Sequence, residues 1–126
     1  MDNLTTRIIN CLPHDAHLLV GDGRAVTIKQ SGMVARVNER LSAPVTLTVA
    51  TDDGAVSISV ECRTRALGEV VGLPGRAPGM LYLVSTMVAD AASYRDDLVV
   101  PGDLVRDEAG KVIGCRGLYR VAAPTL

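Results

Sequence analysis

A chain of 126 residues with a net charge of −1 at pH 7 has room for one ordinary domain, so we expect residues 1–126 to form a single domain. Its 48% apolar and 21% charged content excludes a disordered or collagen-like chain. Charge is evenly spread and three tyrosines are the only aromatic residues, which argues against nucleic-acid binding through phosphate contacts and stacked bases.

The N-terminal segment "MDNLTTRIINCLPHD" has an acid at position 2 and lacks the apolar run of a signal peptide. No later stretch approaches the roughly 20 apolar residues of a membrane span. The three cysteines are widely spaced and form no disulfide framework. We therefore expect a protein of the reducing cytoplasm that has no contact with membranes.

The same segment continues into "NCLPHDAH", where Cys11, His14 and His17 have a C-x2-H-x2-H spacing. Zinc needs four ligands in a tetrahedral array, and Cys62 or Cys115 would have to complete the set from far along the chain. Burial of Cys11 beside two histidines that flank strands is the favoured interpretation. A Cys11 nucleophile with His14 as base would lack an oxyanion hole, so we do not expect this pair to be catalytic. We expect the protein to bind neither a metal ion nor a cofactor.

Two β-hairpins follow in the first half of the chain. "HLLVGDGRAVTIKQ" has β-prone runs on both sides of a Gly-Asp-Gly turn, and "PVTLTVATDDGAVSISVEC" alternates apolar and hydroxyl side chains around Asp52-Asp53-Gly54. In the second hairpin, period-two alternation predicts a buried apolar face and a solvated face lined by hydroxyl groups.

The stretch "GEVVGLPGRAPGM" is rich in glycine and proline, which predicts a surface loop after a short strand. It is not a phosphate loop, because it lacks the Lys-Ser/Thr ending and leads into a strand instead of a helix. Arg76 at the tip of this loop would be an exposed contact residue for a docking partner.

The last third of the chain predicts a strand, a helix and three further strands. "LYLVS" is a buried strand, Ser85 or Thr86 caps a helix over residues 86–95, and Arg95 lies in the last turn of that helix. "DLVVPG" is a short buried strand that ends in a Pro-Gly turn. Two final strands surround Asp107 to Gly110, where the glycine suits a positive φ.

If "LYLVS" and "DLVVP" are neighbouring parallel strands, their carboxyl ends meet near the start of the helix, where α/β units bind ligands. This arrangement predicts a small anionic or nucleotide-like ligand at Ser85, Thr86, Gly102, Asp103 and Arg106. The competing interpretation is structural and is favoured for the acidic residues. Under that interpretation Asp96 and Asp97 follow the helix, Asp103 follows a turn, and Asp107 and Glu108 shape a hairpin tip.

Four motifs in order, "IINCLPH", "SGMVARV", "GEVVGLPGRAPGMLYLVS" and "RDDLVVPGDLVRDEAGKVIGCRGL", resemble a family of small uncharacterised proteins of phages, prophages and other mobile elements, including actinobacterial ones. The first segment in that family more often ends Leu-Thr-Pro-His, where this chain has Cys11-Leu12 before Pro13-His14. The resemblance implies no catalytic residue. It implies an accessory factor that binds a host protein or sequesters a small molecule.

These patterns together predict an α+β fold, with a mostly antiparallel sheet or a small open β-barrel and a single helix. The predicted function is that of a non-enzymatic accessory protein of phage type, whose partner is a host protein or a small anionic ligand. A small enzyme acting on an anionic or nucleotide-like substrate and a structural virion component are the alternatives. A homo-oligomer is compatible with the sequence.

Overall fold

The computed structural model describes residues 6–21 and 23–121, which form ten strands and one helix. Along the chain these elements are β1 (Arg7–Asn10), β2 (Ala16–Leu19), β3 (Ala25–Ile28), β4 (Arg36–Leu41), β5 (Val45–Ala50), β6 (Ser57–Cys62), β7 (Arg65–Val71), β8 (Met80–Leu83), α1 (Thr86–Ala91), β9 (Leu98–Arg106) and β10 (Val112–Tyr119). The contacts divide the chain into two compact units. We call Asn38–Glu69 the hairpin unit and the remaining described residues the barrel unit.

The barrel unit is built on a six-stranded sheet in the order β1-β8-β9-β10-β2-β3. The β1–β8, β8–β9 and β10–β2 pairs are parallel, and the β9–β10 and β2–β3 pairs are antiparallel. A bridge between Asn10 and Gln30 connects the two outer edges of the sheet, so the sheet curls into a nearly closed barrel. The predicted α+β class is therefore confirmed in its open-barrel form, with a mixed sheet.

The predicted crossover from β8 through the helix to β9 is present, with Leu83 paired in parallel with Val99. Ser85 caps the helix as expected, because its hydroxyl accepts a hydrogen bond from the Val88 amide at 3.2 Å. In the part of the chain that the structure describes, no helix is long and apolar enough to cross a membrane.

The predicted helix over residues 86–95 is too long, since α1 ends at Ala91 and has no basic residue in its last turn. The Arg95 side chain instead donates two hydrogen bonds to the Asp97 carboxylate, at 2.7 and 2.8 Å, and one to the Pro74 carbonyl at 2.9 Å. The Arg95 amide donates to the Ala92 carbonyl at 2.9 Å, in a turn that follows the helix. Arg95 also lies over the Tyr82 ring, with its Cζ 5.8 Å from the ring centroid.

The barrel core is mainly aliphatic. Its most buried large side chains are Leu83, Val84 and Val88, which are 0, 0 and 2% exposed. Tyr82 is buried in the same core, and its hydroxyl donates to the Gly75 carbonyl at 2.9 Å, so the ring carries a satisfied polar group. These contacts link the glycine-rich loop to the crossover.

The expected Pro-Gly turn after "DLVV" is wrong, because β9 runs through both residues to Arg106. Pro101 and Gly102 each have a partner on β10. A Cβ on Gly102 would overlap the ring of Tyr119, so glycine is required at this position for the two strands to pair closely.

The hairpin tip after β9 is confirmed. There the Asp107 carboxylate accepts from two backbone amides of the tip at 2.9 and 3.0 Å.

The hairpin unit contains the predicted β5–β6 hairpin, whose antiparallel register pairs Leu47 with Val60 and Val49 with Ile58. These side chains share one face, but that face is not buried as expected: every residue of β5 and β6 is exposed. A two-stranded sheet has no second layer of its own to cover its apolar face, which accounts for the difference. At the base, the Ser42 amide donates to the Thr64 carbonyl at 2.9 Å.

Candidate functional site

A cavity of about 350 Å³ opens at one edge of the barrel unit. Asn10 and Leu83 are the last residues of the parallel strands β1 and β8, so the chain leaves both strands at this edge. Strand β9 continues beyond the end of β8, and β10 pairs with that extension. The loop after β1, the start of the helix and the projecting β9–β10 hairpin thus form the walls of the cavity.

Most of the cavity wall is apolar. This apolar part of the wall consists of Leu12, Ala16, Pro101, Leu104, Val112, Ile113, Gly114 and Cys115. Leu104, Val112 and Ile113 are 46, 42 and 46% exposed, so each of these side chains keeps nearly half of its surface in contact with solvent. The wall therefore offers uncovered apolar surface to a molecule that enters the cavity.

Five polar residues complete the lining: His14, Asp15, His17, Ser85 and Thr86. The Nδ1 atom of His14 lies 2.8 Å from the Asp15 carbonyl oxygen. Because a carbonyl oxygen only accepts, Nδ1 carries the proton in this contact. The Nδ1 atom of His17 lies 3.1 Å from the Thr27 hydroxyl.

Asp15 is the only acidic residue of the lining, and no lysine or arginine is among the described residues that line the cavity. One carboxylate oxygen, Oδ1, accepts a hydrogen bond from the Gln30 amide at 2.9 Å. This bond fixes the carboxylate beside the bridge that closes the barrel. Among the described residues, no hydrogen bond is formed to the other oxygen.

Cys115 lies in the wall but is poorly suited to act as a nucleophile. Burial raises the pKa of its thiol, and hydrogen bonds from the Gly102 and Gly117 amides offset this effect only in part. Burial also raises the pKa of the Cys11 thiol, whose hydrogen bond with Ser31 acts in the opposite direction. Both cysteines are therefore protonated near neutral pH, and a thiol is a much weaker nucleophile than a thiolate.

The structure brings two of the five predicted ligand-binding residues, Ser85 and Thr86, into the cavity lining and leaves the other three outside it. Gly102 is buried beneath the Tyr119 ring. Asp103 lies 3.9 Å from the Arg116 guanidinium on the neighbouring strand.

Arg106, the third of these residues, donates to the Gly110 carbonyl at 2.9 Å and thereby supports the hairpin tip. Arg76, the predicted partner contact, is exposed and forms an ion pair with Asp96. A second, longer hydrogen bond joins Arg76 to the Tyr94 carbonyl at 3.4 Å, so this side chain ties the glycine-rich loop to the segment after the helix.

His14 and His17 line the same cavity, but no group of three or more His, Cys, Asp or Glu side chains within residues 6–21 and 23–121 is arranged to hold a metal ion. The sequence interpretation missed Asp15, Leu104 and Ile113 as lining residues. Asp15 stands between the two histidines of the tested motif, and that position was its one visible signal. Leu104 and Ile113 belong to ordinary strand patterns, which gave no indication that these residues line a cavity.

Comparisons of the chain with protein-family models, with curated proteins and with solved structures find no match. The cavity and its chemistry therefore carry the functional argument.

Proposed function

We propose that this chain is a non-enzymatic binding module that holds a small ligand in the cavity at the barrel edge. The observation that carries the proposal is the cavity itself, whose volume of about 350 Å³ lies within the usual range for small-molecule sites. Its half-exposed aliphatic wall and its few convergent polar groups are the features that such sites share.

The chemistry of the lining supports binding over catalysis. Cys115 is the one thiol in the lining, and its raised pKa keeps it protonated. The predicted anionic substrate would need a cation, but Arg106 is engaged at the hairpin tip and lies outside the lining. Binding a ligand without converting it requires neither a reactive thiolate nor a cation for an anionic substrate.

A binding module of this kind would be an accessory protein that sequesters a small molecule. This is one of the two accessory roles that the resemblance to phage and mobile-element proteins implies. Of the two accessory roles, sequestering a small molecule needs only a stable barrel with an open cavity. The barrel unit has both, since its core is closed by aliphatic packing and its edge is open. A cytoplasmic location is part of this proposal.

The proposal is tested by blocking the cavity. Thr86 is an exposed lining residue at the first position of the helix, so Thr86→Phe adds a ring at the mouth without removing a core contact. Thr48→Phe, on an exposed strand of the hairpin unit, is the matched control. A fragment library is screened by ligand-observed NMR against the unmodified protein and both variants.

We expect fragments that bind the unmodified protein to bind Thr48→Phe equally well and to lose most of their saturation-transfer signal with Thr86→Phe. Equal binding to all three proteins, or no fragment binding to the unmodified protein, would contradict the proposal. Thermal unfolding of each variant shows whether it is folded before binding is compared.

A further inference from the structure

We infer that the ligand of the cavity is a small amphipathic cation, with a protonated amine at one end and an aliphatic or aromatic body. This inference rests on the proposed function and specifies the ligand class of the same site. It departs from the anionic or nucleotide-like ligand that the sequence suggests, because the residues that line the cavity differ from those that the sequence places there.

The charge of the lining favours a cation. Asp15 contributes a carboxylate, and the lining contains no lysine or arginine to offset it. Of the arginines on β9 and β10, Arg106 donates to the Gly110 carbonyl, and Arg116 lies 3.9 Å from Asp103. An anion entering the cavity would give up its water shell and meet a like charge, whereas an ammonium group would meet an opposite charge.

The hydrogen-bonding groups also favour a ligand that donates. The Asp15 carboxylate can only accept, and the Gln30 amide already donates to its Oδ1, so the second oxygen offers an acceptor to a ligand. An ammonium group has three donors and no acceptor, which matches this set. A carboxylate or phosphate ligand would instead set acceptors against acceptors.

The rest of the cavity requires an apolar body. Leu104, Val112 and Ile113 are each close to half exposed, and covering them would remove apolar surface from water at about 25 cal/mol per Å². The lining contains no aromatic side chain for stacking a nucleobase. A hydrocarbon body that packs on the aliphatic wall while its amine reaches Asp15 uses both parts of the cavity.

The test compares three probes with one hydrocarbon chain and different heads: hexylamine, hexanol and hexanoate. At pH 7.5 the first is a cation, the second is neutral and the third is an anion. Each is titrated into ¹⁵N-labelled protein in low-salt phosphate buffer, and the amide shifts of residues 14–17, 85–86 and 112–115 give the dissociation constants. We expect hexylamine to bind roughly fivefold tighter than hexanol, and hexanoate to bind weakest.

Asp15→Asn is the decisive variant, because the amide oxygen of asparagine can still accept from Gln30 while the charge is lost. We expect hexylamine to fall to the affinity of hexanol in this variant, with hexanol unchanged. Asp103→Asn is the matched control: this residue lies outside the lining and has a φ of 53°, which asparagine tolerates. It should keep the full preference for the amine.

The outcomes separate the two proposals. If none of the three probes moves the cavity amides, both the binding function and the amine inference are overturned. If all three bind equally, or hexanoate binds best, the cavity binds ligands but the inferred ligand class is wrong. An amine preference that persists in Asp15→Asn would likewise overturn the inference, since it would not come from the carboxylate.

Discussion

Asn10 fixes the closure of the barrel through three side-chain hydrogen bonds. It is 1% exposed, its Nδ2 donates to the His14 and Ile28 carbonyls at 3.0 and 2.9 Å, and its Oδ1 accepts from the Leu12 amide at 2.9 Å. The side chain thus satisfies backbone groups of the loop after β1 and of β3, in place of a regular sheet ladder.

Replacing Asn10 by aspartate should destabilise the barrel unit. The substitution keeps the size of the side chain but puts an acceptor where Nδ2 donates, opposite two carbonyl oxygens. We expect the free energy of unfolding to fall by about 2–5 kcal/mol. Urea denaturation followed by circular dichroism measures the loss. The same change at the exposed Asn38 should cost less than about 0.5 kcal/mol, and equal losses at both positions would contradict this role.

The Arg95–Asp97 pair should make stability depend on pH. The pKa of Asp97 lies below its usual range, mainly because Arg95 donates hydrogen bonds to the carboxylate. Since the pKa is lower in the folded chain than in the unfolded chain, the contribution to stability is complete above an unfolded-state pKa of about 4. It is lost as the pH falls from there through the folded-state pKa. Both side chains are 11% exposed, so solvent screens the pair little.

We expect Asp97→Asn to lower the free energy of unfolding at pH 7 by about 1–3 kcal/mol and to remove most of this part of the pH dependence. Urea midpoints measured from pH 3 to pH 7 provide the comparison. Asp96→Asn is the control, because Asp96 is 81% exposed and its ion pair with Arg76 is screened by water. An Asp97→Asn curve parallel to that of the unmodified protein would exclude this linkage.

At the scale of the elements, the apolar face of the β5–β6 hairpin has no cover among the described residues. Ile58 is 55% exposed on that face, whereas Leu83 in the barrel core is fully buried. We expect Ile58→Thr to change the free energy of unfolding by less than about 0.5 kcal/mol, since both residues are β-branched and little buried surface is lost. Leu83→Ala should cost about 2–5 kcal/mol.

Chemical denaturation of the two variants at low protein concentration makes this comparison. If Ile58→Thr destabilises the protein as strongly as Leu83→Ala, the hairpin face is covered in solution and the description of that face as exposed is wrong.

The elements that sequence patterns predict best are those with local signals. The turns after β5 and β9, the Ser85 cap and the parallel crossover all follow from residues close together in the chain. The predicted turn after β2 includes Asp22, which lies outside the described residues. The end of the helix was predicted too far along the chain. Arg95 binds the Asp97 side chain and the Pro74 carbonyl, and the helical pattern of the sequence gives no sign of either contact. The turn expected at Gly102 failed because a ring on the neighbouring strand requires the glycine.

The candidate site was only partly predictable for the same reason. The sequence places Ser85 at the end of a parallel strand, which puts it at the correct edge of the barrel. Asp15 and Ile113 reach that edge only through the pairing of β10 with β2 and β9, which joins distant parts of the chain. The edge could be predicted, but the charge of the cavity could not.

At the scale of the whole molecule, the buried core belongs to the barrel unit. All of its buried hydrophobic residues lie before residue 38 or after residue 69. Ser42 and Thr64 are joined by a backbone hydrogen bond of 2.9 Å, and the Ser42 hydroxyl accepts from the Thr64 amide at 2.8 Å. The two ends of the intervening segment are therefore held together.

We expect the barrel unit to fold when residues 43–63 are replaced by an Asn-Gly turn that connects Ser42 to Thr64. The amide resonances of barrel-core residues such as Leu83 and Val88 should keep their positions in a ¹⁵N correlation spectrum. A collapsed spectrum would show that the barrel depends on the excised segment and would support the predicted single domain. Retention of the resonances would identify the barrel unit as a self-sufficient domain.

The pairing of β1 with β8, in which Arg7 lies beside Met80, sets the order of events during synthesis of the protein. The β2–β3 and β5–β6 hairpins can form as soon as they leave the ribosome, since their partners are adjacent in sequence. Strand β1 must wait for a partner more than seventy residues later, which at usual translation rates takes roughly 4–15 s. A nascent chain stalled before residue 80 would expose an unpaired strand, and the barrel cannot close until β10 has left the ribosome.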